Sequence, residues 1–304
     1  MKRGADILND EYINVVIYAP SGVGKTVLVC TAAEHAKKQK AGVLAIDIEG
    51  GIKGRLLKGR NNLFILRPEA FSEFNDIYNK LKEHLDGLNK VASMWDNLAQ
   101  LKAAHKKLTD IHSWITGKEE IEWIPLLHVL TDSFSETQIS AMEYIVPNDN
   151  MMTLKNPEIQ HWGKNINTIR FIIRKFKGLP INTWFTALEK FKKEKDDEGK
   201  EKLLGIVPKF AGKDTDEDVC GLVDIVGYYC TKSKGPKEID RILYFQPINR
   251  IKMCKVKDRF DMLGTDLINP SVSTIMELLE LDAAQAVITC SEVMQRIVEL
   301  STKK

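Results

Sequence analysis

Short unbroken apolar runs alternate with helical stripes along the first half of this chain. The run Val15-Val16-Ile17-Tyr18 reads as a buried strand, and Val27-Leu28-Val29-Cys30-Thr31-Ala32-Ala33 reads as a helix continuing to about Lys40. The strand Gly42-Val43-Leu44-Ala45-Ile46-Asp47 follows, so the first fifty residues predict a β-α-β unit with a parallel crossover. Residues 72–122 are rich in Leu, Lys, Glu and Asn. Ile77, Leu81, Leu85 and Leu88 fall at helical spacing, which predicts a helical pair packed outside the sheet, with Trp95, Trp114 and Trp123 as its packing anchors. The run Ile124 to Leu130 predicts a third strand ending at Thr131-Asp132-Ser133, then a helix from about Ser135 to Tyr144 and a polar loop at Pro147, Asn148, Asp149 and Asn150. Trp162 to Lys177 places Ile166, Ile169, Ile173 and Phe176 on one helical face, and Pro180 to Thr186 predicts a fourth strand. Beyond it, Lys190 to Lys195, a turn at Asp196-Asp197-Glu198-Gly199 and Lys200 to Leu204 predict a solvent-facing hairpin or mobile loop. Further strands are expected at 222–230 and 241–245, and helix from 271 to 300.

The turn after the first strand carries the most specific chemistry. Ala19-Pro20-Ser21-Gly22-Val23-Gly24-Lys25-Thr26 sits between a strand and a helix, the context in which a glycine-rich turn cradles phosphates. Its backbone N–H groups would wrap β- and γ-phosphates at the positive end of the helix. Lys25 would reach the β/γ-oxygens and the Thr26 hydroxyl would ligate Mg²⁺. Ala19 stands where the first glycine of such a loop is usual, a position that a small residue can fill without positive φ. These residues predict binding of a nucleoside triphosphate such as ATP.

Hydrolysis needs more than a phosphate cradle. Asp132, at the end of an apolar strand, is placed to hold the Mg²⁺ shell, although Asp-Ser-Phe-Ser also suits a helix N-cap. Asp47-Ile48-Glu49-Gly50-Gly51 puts acids at the carboxyl edge of the second strand, where open α/β sheets bind ligands. Alternation turns Asp47 and Glu49 to one side, and Glu49 could orient or deprotonate the attacking water. An acidic surface turn is the alternative.

Composition narrows the class only modestly. The 304 residues suit one large α/β domain or a domain with an appendage, and the net charge of +2 excludes a strongly polybasic protein without excluding a local basic patch. The five cysteines include no C-x-x-C pair, so neither zinc nor a disulfide framework is expected. His35, His84, His105, His112, His128 and His161 have no metal-ligand spacing and read as surface or packing residues. Met1 to Asp6 has no apolar core for a signal peptide, and no apolar run approaches the length of a membrane span; a reducing cytoplasmic setting is expected.

With these motifs together, the chain resembles the RecA-like core. An acid-x-Glu ends the second strand, and Leu130-Thr131-Asp132-Ser133 looks like a Walker B strand. The combination of the phosphate loop, Asp-Ile-Glu-Gly-Gly and Thr-Asp-Ser is similar to compact phage-encoded nucleotide-binding ATPases, some of which are RecA-like single-strand annealing proteins. Phe185-Thr186-Ala187, Pro208 to Lys213, Val223-Asp224-Ile225-Val226 and Lys255 to Arg259 are further shared marks. The resemblance spans about residues 12–262 and does not clearly cover 72–122 or the C-terminal tail. It implies an α/β fold with a RecA-like P-loop NTPase core, a mostly parallel sheet flanked by helices. It divides the chain into an ATPase domain at 1–270, with a helical insertion at about 72–122, and a C-terminal helical segment at 271–304.

The resemblance also implies roles for particular residues. The family's strand-two glutamate is the catalytic base, which supports Glu49. A sensor strand between the P-loop and Walker B strands would set Thr186 near the γ-phosphate. Ring-forming relatives such as replicative helicases reach a neighbour's nucleotide with a Lys-x-Arg pair, matched here by Lys257 and Arg259; a shared active site in a homo-oligomer would follow. A solvated charged turn is the plain alternative for that pair. Two loops that grip single-stranded DNA in the family correspond to about 145–160 and 189–206. The second holds Lys190, Phe191, Lys192 and Lys193, yet across 189–206 six lysines meet six acids, so a solvated hairpin suits it equally. The expected activity is Mg²⁺-dependent, DNA-stimulated ATP hydrolysis in phage recombination or annealing. The rivals are a nucleotide-gated interaction protein or loader of the replication machinery, with slow DNA-independent hydrolysis, and a small-molecule kinase, for which the hairpin is too acidic to serve as a lid.

Overall fold

The structure, a computed structural model, describes residues 12–117, 124–146, 157–195, 201–212, 214–235, 238–247, 254–281 and 290–302. The loop at 147–150, Trp123 and the turn at 196–199 lie outside the described residues. Strand β1 (Asn14–Ala19) leads through the glycine-rich turn into α1 (Lys25–Cys30), which continues past Thr31 into α2 (Ala32–Lys38). Then come β2 (Gly42–Asp47), the short α3 (Gly54–Leu57), β3 (Leu63–Leu66), α4 (Phe71–Val91) and α5 (Leu98–Thr116). Strand β4 (Leu126–Asp132), α6 (Phe134–Ile145), α7 (Ile159–Lys177), β5 (Asn182–Lys195) and β6 (Glu201–Pro208) form the middle of the chain. The remainder is α8 (Thr215–Leu222), β7 (Ile225–Ser233), β8 (Ile239–Tyr244), β9 (Lys257–Asp258), β10 (Asp266–Ile268), α9 (Val272–Leu278) and α10 (Cys290–Thr302).

Among the described residues the strands form one sheet in the order β10-β8-β7-β1-β5-β4-β2-β3, with β6 hairpinned onto β5 and β9 beside β7. The central pairs from β7 to β3 are parallel, and the edges at β8, β10, β9 and β6 are antiparallel. The fold is thus an α/β P-loop NTPase core with a mostly parallel sheet flanked by helices. Strand β5 lies between β1 and β4, the order expected for a sensor strand.

Period-two alternation divides the core. Val16 and Tyr18 of β1 face one side with Phe74, Leu81, Ile169, Phe176 and Phe185, under α4, α6 and α7. Val15, Ile17 and Ala19 face the other with Leu28, Val29, Ala36 and Trp184, under α1, α2 and α9. The central strands are buried on both faces, which is why they read as unbroken apolar runs.

The helical pair at 72–122 exists as α4 and α5, but α4 lies directly on the sheet: Phe71, Phe74, Ile77, Leu81 and Leu85 belong to the first core cluster. Trp95 packs in a small satellite core with Val91, Leu101, Leu108 and Val293. Trp114 does not anchor the pair. It is 42% exposed, with the Lys80 ammonium 5.9 Å from its ring centroid. Helix α10 closes the satellite core, where Arg296 donates to the Trp95 carbonyl at 3.2 Å. No described helix is long and apolar enough to cross a membrane.

Four histidines are buried outright, and two clusters result. His128 of β4 lies between Trp184, whose indole N–H donates to its Nδ1 at 3.1 Å, and His35 of α2, whose Nδ1 is 2.8 Å from its Nε2. The indole makes His128 Nδ1 an acceptor, so the proton sits on Nε2 and points at His35. His84 and His112 stack with ring centroids 5.7 Å apart between α4 and α5. Burial first, and His112 second, pushes His84 down to about 3, and burial holds His128 well below the usual imidazole range.

These imidazoles give the fold a signed pH dependence. Their folded-state pKa values lie below the usual 6.5, so the unfolded chain binds protons first as pH falls. Stability is therefore fully present above about pH 7 and is lost progressively below the unfolded value, with His84 alone costing about 2 kcal/mol at pH 5. Urea unfolding between pH 8 and pH 5 tests this: the midpoint should fall toward pH 5, and less steeply in His84→Leu. A midpoint equally steep in the variant would remove His84 from the effect.

Candidate functional site

The carboxyl edge of the sheet gathers the predicted residues through strand register. Thr131 pairs with Phe185 and Asp47 pairs with Asp132, so β2 and β4 at their ends and β5 at its fifth residue present Asp47, Asp132 and Thr186 side by side. Beside them β1 ends at Ala19 and opens into the phosphate loop. Gly22 and Gly24 hold φ of 80° and 104°, which side-chain-bearing residues rarely adopt. Pro20, Ser21 and Val23 complete the loop before α1 begins at Lys25.

Lys25 is buried and bends back over the turn, where its ammonium donates to the carbonyls of Ala19 at 3.3 Å and Pro20 at 3.0 Å. Burial lowers its pKa, opposed by Glu49, Asp132 and Glu189. An anion in the loop would add the counter-charge that burial denies it.

Asp132 is the centre of the site. It is 1% exposed, and its two oxygens accept from two hydroxyls: Thr26 at 2.7 Å and Thr186 at 2.5 Å. Its own carbonyl accepts from the amides of Ile48 at 2.8 Å and Glu49 at 3.3 Å. One residue thus ties the phosphate-loop helix, the sensor strand and the strand-two loop together. Burial raises its pKa and the two hydroxyl bonds work against that rise. The N-cap of α6 is Ser133, whose hydroxyl accepts from Glu136 N at 3.3 Å, so capping does not occupy the Asp132 carboxylate.

The strand-two acids separate in role. Strand β2 stops at Asp47, so alternation does not carry Glu49 to the same side. The Asp47 carboxylate is used up structurally: it accepts from Gly51 N at 2.9 Å, Ile52 N at 3.2 Å and Arg67 Nε at 2.9 Å, closing the loop that carries Glu49. Glu49 is itself exposed. Partial burial first, then Asp132 and Glu136, raises its pKa, while Lys25 lowers it. A solvent-reaching carboxylate with raised basicity beside the Asp132 centre has the properties of a general base.

The Asp132 carboxylate and the Thr26 hydroxyl are hard oxygen donors of the kind that fits Mg²⁺. A Cβ added at Gly51 would meet Asp132 Oδ2 at 3.4 Å and Thr26 Oγ1 at 3.7 Å, so glycine there keeps the space beside both ligands open. Among the described residues no group of three His, Cys, Asp or Glu side chains could hold a metal by itself, so a Mg²⁺ bound here would need further oxygen ligands from outside the protein, water or phosphate.

The other predicted cations lie elsewhere and have partners. Asp258 pairs with Ile225 and Ile225 with Val15, about 13 Å of strand below Ala19. Lys257 and Arg259 therefore sit at the end of the sheet opposite the phosphate loop. Lys257 donates to the carbonyls of Cys220, Gly221 and Val223 at 3.2, 3.2 and 2.6 Å, closing the C-terminal end of α8. Arg259 pairs with Asp224 at 2.6 Å, which Lys177 and Asn14 also engage. Within the chain these two cations fasten β9, α8 and β7 rather than meet a phosphate.

The hairpin residues are likewise engaged. Lys190 donates to the Phe210 carbonyl at 3.2 Å, Lys192 pairs with Glu217 at 3.0 Å, and Lys193 pairs with Glu201 at 2.7 Å. Phe191 stands 52% exposed between them. Two residues escaped sequence reasoning. Arg241 of β8 donates to the Val23 carbonyl at 3.1 Å, and Glu189 accepts from the Tyr228 hydroxyl at 3.0 Å. Neither belongs to a local motif, and only the folded sheet reveals them.

A family model for an AAA domain matches residues 11–259, which includes the phosphate loop, Asp132, Thr186 and the hairpin and runs through the α4–α5 pair. A search of curated proteins finds no match.

The Asp47 assignment is testable apart from any activity. Asp47→Ala leaves two backbone amides and Arg67 without their acceptor and should cost about 3 kcal/mol in urea unfolding. Unchanged stability would contradict the structural role given to this carboxylate.

Proposed function

The chain belongs to this AAA-domain family, and from that premise we propose that it is a Mg²⁺-dependent, RecA-like ATPase that couples nucleotide state to single-stranded DNA. The observation that carries the proposal is the bridge from Thr26 through Asp132 to Thr186. In this reading the loop at 20–26 holds ATP, with Lys25 on the β/γ-oxygens. Thr26 and Asp132 hold Mg²⁺, which neutralises charge on the β- and γ-phosphates when bound. Glu49 orients the attacking water and takes its proton. Thr186 reports the site to β5, because the strand that carries it runs on into the hairpin.

That continuity supports coupling. Phe191 lies five residues beyond Thr186 on the same strand and offers an exposed ring on which a base could stack. A phage recombination or annealing role is the functional setting we infer. Lys257 and Arg259 could serve a neighbouring subunit only by releasing their own partners, so the proposal does not depend on a shared site.

A second reading has its own observation. The hairpin lysines are neutralised by Glu217, Asp216 and Glu201. A hairpin so balanced also suits a nucleotide-gated contact with a partner protein of the replication machinery, with hydrolysis indifferent to DNA.

Steady-state ATP hydrolysis in Mg²⁺, titrated with single-stranded DNA at two salt concentrations, separates these readings. Stimulation that weakens with salt is expected; indifference to DNA at both salts would overturn the DNA assignment in favour of the second reading. Glu49→Gln should lower kcat by about 10²–10⁴-fold while nucleotide binding persists. For the wild type, kcat should fall with pH through a value above the usual 4.5 for glutamate, as the base becomes protonated. Retained turnover in Glu49→Gln would remove this residue from the base role.

A further inference from the structure

Arg241 lies 218 residues from Val23 in sequence, yet its Nε donates to the Val23 carbonyl of the phosphate loop at 3.1 Å. The approach is close: a Cβ added at Gly24 would stand 3.3 Å from Arg241 Nε and 4.0 Å from Val27 Cβ. Glycine at this position therefore serves both the positive φ and the guanidinium against the loop. The arginine's backbone is fixed as well. Asn269, at the end of β10, accepts from Arg241 N at 2.9 Å and donates to Arg241 O at 2.6 Å, while its side chain donates to Asp240 at 3.2 Å. Asn269 holds a φ of 48° to make these bonds.

The side chain so mounted is exposed, and among the described residues its two terminal nitrogens meet no protein acceptor. Sheet order fixes which end of a nucleotide it would face. Thr186 and Asp132 lie on the β5–β4 side of the loop, whereas β8 lies on the β7 side. A triphosphate whose terminal phosphate points to Asp132 directs its nucleoside end toward β7 and β8. A guanidinium presents two parallel N–H donors that match phosphate oxygens, and here the Nε bond to Val23 already orients that fork.

We propose that Arg241 is a nucleotide-binding residue whose terminal nitrogens engage the α-phosphate and ribose end of the bound nucleotide. The proposal rests on the ATP-site reading above. It separates Arg241 from Lys25, which serves the β/γ end: a contact at the α end is made equally to a diphosphate and a triphosphate.

Calorimetric titration of the full chain with ADP and with a non-hydrolysable ATP analogue, both in Mg²⁺, tests it. Arg241→Ala should weaken both ligands by a similar factor, about tenfold, and Arg241→Lys should recover only part of the loss. Equal binding by Arg241→Ala and wild type, even with a lowered melting temperature, would overturn the proposal and leave Arg241 a staple for the loop. Loss of the triphosphate analogue alone would also overturn it, since that locates the cation at the γ-phosphate. If Arg241→Ala does not fold, Arg241→Gln, which keeps an N–H for Val23, carries the same test. Failure of the ATP-site reading is distinguishable: wild type itself would bind neither ligand, as would Lys25→Ala.

Discussion

A carboxylate buried to 1% exposure has to be satisfied, and Asp132 is satisfied by two threonine hydroxyls, one from the phosphate-loop helix and one from β5. Its ionised form is costly in such a place unless hydrogen bonds hold it. Thr26 comes from the first turn of α1 and Thr186 from the middle strand, so the bonds also define how the helix sits over the sheet. The same residue's carbonyl holds the Glu49 loop. Moving α1 or β5 breaks a bond to the buried carboxylate, and moving the Glu49 loop breaks bonds to the same residue's carbonyl. The site is preorganised because its geometry and its electrostatic compensation are one set of contacts.

Around this centre the charged side chains divide into those that are occupied and those left open. Asp47, Lys257, Arg259, Lys192 and Lys193 all have partners within the chain and act mainly as fasteners. The Glu49 carboxylate and the terminal nitrogens of Arg241 are the ones left open among the described residues, and in the proposed ATP site they would stand at opposite ends of a bound triphosphate. Strand β5 links that space to the periphery, since it carries Thr186 at its buried end and Phe191 at its exposed end. In the proposed coupling, a nucleotide that changes the Asp132–Thr186 bond would act on the base of the hairpin.

Local pattern revealed much of this and long-range contact the rest. Buried parallel strands announce themselves as apolar runs, so β1, β2, β4 and β5 were legible, and the loop 20–26 was legible from its glycines between strand and helix. Strand β3 was not, because Leu63–Leu66 is only four residues at an edge. The α4 stripe was visible, but nothing in spacing alone says that it lies on the sheet rather than outside it. Asp47 and Glu49 looked equivalent until the chain bent after Asp47, and the bend depends on Gly50 at a φ of 65° and on Arg67. Charge pairs are the least legible of all. Lys257 and Arg259 have the spacing of paired cations on a strand, but Asp224 and the carbonyls at the end of α8 that engage them come from 34 or more residues upstream. His128 read as a packing residue, and its place between Trp184 and His35 appears only when β4, β5 and α2 come together.

The central claim is that Asp132 and Thr26 exchange their mutual hydrogen bond for a shared cation once a nucleotide fills the loop. Electron paramagnetic resonance of Mn²⁺, titrated in the presence and absence of a non-hydrolysable ATP analogue, tests it most directly. The account predicts tight Mn²⁺ binding only when the nucleotide is present, weakened at least about tenfold in Asp132→Asn while metal-free nucleotide binding remains. Equal Mn²⁺ affinity in the two proteins would contradict it, and Asp132 would then be a structural carboxylate that merely holds its threonines together.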